Sequence, residues 1–121
     1  MQESGEMYLE TIYILHSKTD AVRSIDVADY MGFSRPSVSR GVGLLKKGGF
    51  IVIDKDGFIS LTDLGRTTAE KIYERHTLLA DFLVRLGVDA ATAAADACKI
   101  EHHISDASFQ AIKNHVAKYT S

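Results

Sequence analysis

Apolar residues recur at helical spacing along most of the chain and switch once to a short β-branched pattern. Met7, Ile12, Ile14 and Leu15 mark a first helix within Glu6 to Ser17, closed by the polar run SKTDAVR. Ser24 predicts an N-cap for a short helix through Val27, Ala28 and Met31, which Gly32 stops. Ser34 predicts a second N-cap, with Pro36 in the first turn, where its missing N–H costs no helix bond. That helix, Arg35 to Lys47, runs by Val38, Val42 and Leu45 to Gly48-Gly49. Phe50 to Lys55 and Phe58 to Leu61 are strand-like runs around Asp56-Gly57, the strongest short hairpin signal a sequence offers. Thr62 and Asp63 then cap a long helix over Leu64 to Leu86 ended by Gly87, Asp89 opens another, and Ser105 opens a last one through Phe109, Ile112 and Val116. The order predicts a mainly α protein. A winged helix-turn-helix with a small β-hairpin wing, residues 1–63, is followed by a helical part, residues 64–121.

Length and composition fit this picture: 121 residues with 45% hydrophobic content suit one compact unit or two small ones sharing a core. One cysteine excludes an intramolecular disulfide framework, and no apolar run has the length of a membrane span, so a cytoplasmic protein without a membrane partner is expected. The net charge of −2 is no mark of a uniformly basic nucleic-acid binder, yet Met31 to Ile53 carries Arg35, Arg40, Lys46 and Lys47 and no acid. That local field sits on the second motif helix, the element that enters the DNA major groove in such folds. Its first turn offers Ser34, Pro36, Ser37, Ser39 and Arg40: hydroxyls for phosphates or base edges, an apolar ring for a thymine methyl, and a guanidinium able to fork onto guanine. Lys46 and Lys47 are placed for the backbone, although they also complement their own helix's C-terminal dipole.

The segment DACKIEHHIS, Asp96 to Ser105, carries a different chemistry. Cys98, Glu101 and His102 fall three and four residues apart, which on a helix sets a thiol, a carboxylate and an imidazole on one face. These are common metal ligands, but one face supplies too few of them, and a lone cysteine also reads as a small buried hydrophobe. A cysteine nucleophile is disfavoured, since the pattern has no third orienting group, and EHH lacks the HExxH spacing of zinc peptidases; no enzyme is expected.

Four blocks, YLETIYIL, VADYMGFSRPSVSRGVGLL, LTDLGRTTAEKIYERHTLLADFLVRLGV and DACKIEHHISD, together resemble the metal-dependent repressors of the diphtheria-toxin-repressor and manganese-transport-regulator type. The resemblance covers nearly the whole chain, with the blocks in the right order and at the right spacing. It implies a repressor of metal homeostasis whose wing and first three helices bind a double-stranded DNA operator, whose later helices form a homodimer, and whose activation requires a divalent cation.

The resemblance also implies a ligand set. In the iron-responsive branch the activating site uses an N-terminal methionine with the Cys, Glu and His of the EHH block, which here are Met7, Cys98, Glu101 and His102. In the manganese branch the Met and Cys positions are carboxylates, and Glu10 and His76 help to hold a second ion. Thioether and thiolate favour Fe(II), Co(II), Ni(II) or Zn(II) over Mn(II), which prefers oxygen; Fe(II) is the leading expectation. The iron branch's ancillary site is incomplete, because His76 is present but Ala80 and Ala94 stand at its other two positions. His103 and His115 are expected to be surface or core residues. A cation held by Met7 and by Cys98 to His102 would tie the DNA-reading part to the dimer part and fix the spacing of the paired recognition helices. A manganese-responsive member of the same family and a winged-helix redox sensor using Cys98 are the alternatives.

Overall fold

The computed structural model describes residues 3–119, and among them it has six helices and one antiparallel hairpin, mainly α as the pattern predicts. In order these are α1 (Glu3–His16), α2 (Ser24–Met31), α3 (Arg35–Lys47), β1 (Ile51–Ile53), β2 (Ile59–Leu61), α4 (Asp63–Arg85), α5 (Ala90–Ile100) and α6 (Asp106–Tyr119). Two compact units divide between Lys71 and Ile72, inside α4. Among the described residues no helix is long and apolar enough to cross a membrane.

In the first unit α1, α2 and α3 bury Leu9, Ile12, Val27, Val38, Val42 and Leu45 in one core, which Ile51 and Ile59 of the hairpin complete. Gly41 brings α3 against α1, since a Cβ there would meet the ring of Tyr8. The N-cap of α2 is Arg23, not Ser24: the Asp26 carboxylate reaches back to accept the Arg23 N–H at 2.9 Å, and Ser24 becomes the first helical residue. Gly32 closes α2 in the left-handed region, at φ 69°. Ser34 caps α3 as expected, its hydroxyl accepting the Ser37 N–H.

The hairpin pairs Ile51 with Leu61 and Ile53 with Ile59, leaving five residues between the strands. Gly57 takes φ 86° there, and the Asp54 carboxylate accepts the N–H groups of Asp56 and Phe58, each at 2.9 Å. The wing is tied to the helices by the His16 ring, whose Nε2–H donates to the Ile59 carbonyl at 2.5 Å, and by the Ile59 N–H to the Val22 carbonyl at 2.7 Å. Thr62 opens α4 by accepting the Gly65 N–H at 3.0 Å, and Gly65 must lack a Cβ because Phe50's backbone fills that space.

The second unit is smaller, with Leu79, Ala97 and Phe109 at its centre and Leu78, Ala80, Ile104 and Ile112 packed around them. Asp89 caps α5: the backbone N–H and then the hydroxyl of Thr92 hold its carboxyl below the usual carboxylate range. Ser105 caps α6 through the Ser108 N–H at 3.1 Å.

Candidate functional site

Cys98 lies in the last turn of α5, half-buried. The helix stops at Ile100, so Glu101 and His102 stand in the turn after it and not on a continuing helix. Glu101 keeps right-handed helical angles, φ −59° and ψ −26°, and the three side chains therefore still converge. One donor atom from each of Cys98, Glu101 and His102 lies within 4.8 Å of the others. Two donors each about 2.0–2.3 Å from one ion sit at most about 4.6 Å apart, so small side-chain rotations close this triangle onto a cation.

Burial sharpens the chemistry. Glu101 is 1% exposed, which is costly for a carboxylate unless its charge is compensated. Its Oε2 accepts from His76 Nδ1, on α4, at 2.9 Å. An ionised carboxylate only accepts, so in this pair His76 donates from Nδ1. Glu101 Oε1 lies 3.3 Å from His102 Nε2, yet it is buried with no hydrogen-bond partner among the described residues. A soft thiol, an imidazole and an under-satisfied buried carboxylate oxygen fit a divalent transition metal.

Met7 and Glu10 belong to α1 in the first unit and are both half-buried; the Thr11 hydroxyl donates to the Met7 carbonyl at 2.9 Å. His103 and His115 are exposed, and His115 lies 4.6 Å, ring to ring, from Tyr119.

On α3 the structure leaves Arg35, Pro36, Ser39, Arg40, Lys46 and Lys47 exposed. Two of the expected hydroxyls are already engaged within the protein. Ser34 accepts the Ser37 N–H and donates to Ser37 Oγ at 2.8 Å, while Arg40 Nη2 reaches the same Oγ at 3.4 Å. The Ser37 carbonyl accepts from the Tyr8 hydroxyl, also at 3.4 Å. Ser34 and Ser37 thus set the entry of the helix and the pose of Arg40, and Ser39 keeps its exposed position.

Sequence reasoning missed Arg75. Its Nη1 donates to the carbonyls of Glu101 at 3.2 Å and Ile104 at 2.9 Å, and its Nη2 pairs with Asp106. The available signal was that Ile72, Leu78 and Leu79 stand three and four residues from Arg75, which places this charge on an apolar face of α4.

Comparison with known proteins matches the "Iron dependent repressor, N-terminal DNA binding domain" to residues 1–58 and the "Iron dependent repressor, metal binding and dimerisation domain" to residues 62–121. The HTH-type transcriptional regulator MntR of Lysinibacillus sphaericus is 34% identical over 102 residues, covering 84% of this chain and 73% of its own. Among solved structures, the metal-dependent transcriptional regulator MtsR aligns with a TM-score of 0.87 at 28% identity, over 93% of this chain and 53% of its own. A manganese-dependent transcriptional repressor in complex with manganese aligns with a TM-score of 0.85 at 29% identity, over 93% and 52%. The chain spans about half the length of these two solved regulators.

Proposed function

This chain belongs to the iron-dependent repressor family of the diphtheria-toxin-repressor and manganese-transport-regulator type, and from that premise we propose that it represses metal-homeostasis genes by binding a DNA operator as a homodimer when loaded with Fe(II). The family consists of metal-dependent transcriptional regulators and not enzymes, and its two matched domains are a DNA-binding domain and a metal-binding and dimerisation domain. Residues 1–63 read DNA and residues 64–121 dimerise and bind metal. Cys98, Glu101 and His102 are the ligands contributed by the second unit; His76 orients Glu101 through Nδ1. Met7 and Glu10 are further donors, a role that rests on the sequence resemblance. The bound cation would supply the positive charge that a buried Glu101 carboxylate needs.

On α3, Arg35, Pro36, Ser39 and Arg40 face the bases, Ser34 and Ser37 hold them in place, and Lys46 and Lys47 meet phosphates. Operator affinity rises only as far as the competent dimer holds the cation more tightly than the incompetent one.

The observation that carries the iron reading is the thiol of Cys98 among the three convergent donors, because donor softness is a site's main handle on metal choice. A manganese-responsive reading is favoured instead by the names of the relatives, one of which is a manganese-dependent repressor bound to manganese. Operator binding measured anaerobically with Fe(II), Mn(II), Zn(II) or no metal separates them. The wild-type chain should respond best to Fe(II), and the double change Met7→Asp with Cys98→Glu should move the response toward Mn(II). A wild type that already prefers Mn(II) would make the sulfur donors irrelevant to selection.

A further inference from the structure

We infer that Arg75 is a positioning residue of the metal centre: its guanidinium grips the turn between α5 and α6 so that Glu101 and His102 present their donors as a set. The inference rests on the metal-centre reading above and extends it to a residue that touches no ligand atom. The Ile100 carbonyl that ends α5 is taken by the N–H groups of His103 and Ile104, whereas the Glu101 and Ile104 carbonyls stand past the helix and take their donor from Arg75. Arg75 Nη1 takes two carbonyls of that turn, those of Glu101 at 3.2 Å and Ile104 at 2.9 Å, spanning His102 and His103 between them. Its guanidinium also lies over the Phe109 ring, 5.4 Å from the centroid, which fixes the plane of the fork.

Burial shows which contacts matter. The Arg75 side chain is 12% exposed, whereas its ion-pair partner Asp106 is 73% exposed. A pair open on one side contributes little, so the enclosed bonds to the carbonyls are the ones that fix the turn. The next residue, His76, holds the Glu101 carboxylate. Two adjacent positions of α4 therefore hold one ligand residue twice, by its main chain and by its side chain. Lysine retains the charge but has no planar fork to span two carbonyls.

The test is binding of Co(II) alone to the full chain, followed by affinity and by the thiolate-to-cobalt absorption band that reports Cys98 coordination. In Arg75→Lys and Arg75→Gln, folding is checked by circular dichroism. Folded variants should bind Co(II) roughly 10–100-fold more weakly, the range for residues that orient ligands, with a weakened or shifted band. Asp106→Asn, which removes the negative charge facing Arg75, should leave affinity and band close to wild type. Wild-type affinity and spectrum in either folded Arg75 variant would overturn the proposal. So would an Asp106→Asn loss as large as that of Arg75→Lys, or failure of both Arg75 variants to fold, since either result assigns Arg75 to general stability. Unchanged binding in His102→Ala would show a different failure, that of the metal-centre reading itself.

Discussion

The two units solve the problem of a stable interior in opposite ways. Among the described residues, the first surrounds its centre with twelve buried residues of apolar or aromatic character, from Tyr8 to Ala69, and satisfies its buried Thr11 hydroxyl on the Met7 carbonyl of its own helix. Among the described residues the second buries Ile72, Leu79, Ala93, Ala97 and Phe109, of which Leu79, Ala97 and Phe109 form its cluster, and places a glutamate, 1% exposed, in the interior. A unit of roughly 50 residues rarely sustains itself on such a core, and small domains make up the difference with a metal or a partner subunit. The contrast fits the proposed duties: a DNA reader set by packing, and a metal-binding part that holds a buried carboxylate.

This contrast can be broken by core truncation. Ile12→Ala in the first unit and Leu79→Ala in the second should each cost about 2–5 kcal/mol, as large-to-small core changes do. Metal at a hundredfold excess over Kd should return about 2.7 kcal/mol to the unit that binds it. Hydrogen exchange should show the larger recovery around Leu79, whose unit supplies Cys98, Glu101 and His102, and a smaller one around Ile12, whose helix supplies Met7 and Glu10; equal recovery in both would mean that the units unfold as one.

Arg40→Ala sharpens the first side of the comparison with a smaller effect. If Arg40 reads guanine, the variant should lose about 1–3 kcal/mol at one base position and relax specificity there, as measured on an operator substitution series. Uniform weakening with a shallower salt slope would make it a phosphate contact. No loss would remove it from the interface.

The smallest effect is expected at Asp89, which caps the helix that carries Cys98. Thr92 holds its carboxyl below the usual range in the folded protein, so the cap's stabilisation is present above the unfolded carboxyl's ordinary value and is lost as pH falls through the lower folded value. Asp89→Asn should flatten that part of the acid limb in thermal unfolding followed against pH. An unchanged acid limb would show that the cap does not contribute to it.

The helices were legible because their apolar spacing and their caps at Ser34, Asp89 and Ser105 are local signals that tertiary packing did not override. Where two local signals competed, the reading slipped. Ser24 is the stronger capping residue by type, but Asp26 reaches back to Arg23 and moves the start by one residue. The glycine of Asp56-Gly57 has the positive φ that such a turn demands, yet the loop spans five residues because Asp54 organises it with its own carboxylate.

At the site, spacing alone grouped Cys98, Glu101 and His102, although they converge across a helix end and not along one helix face. The partnership of Arg75 with carbonyls 26 and 29 residues away was not legible, because nothing in a sequence marks which main-chain groups a distant guanidinium will satisfy.

The central claim is that the convergence of Cys98, Glu101 and His102 controls DNA binding, and anaerobic operator binding by wild type, Cys98→Ala and His102→Ala, each with and without Fe(II), tests it most directly. The wild type should bind tightly only with metal, and both variants should remain at the metal-free level of affinity while their first units stay folded. Metal-dependent operator binding that survives in both variants would contradict the claim and place the controlling site elsewhere.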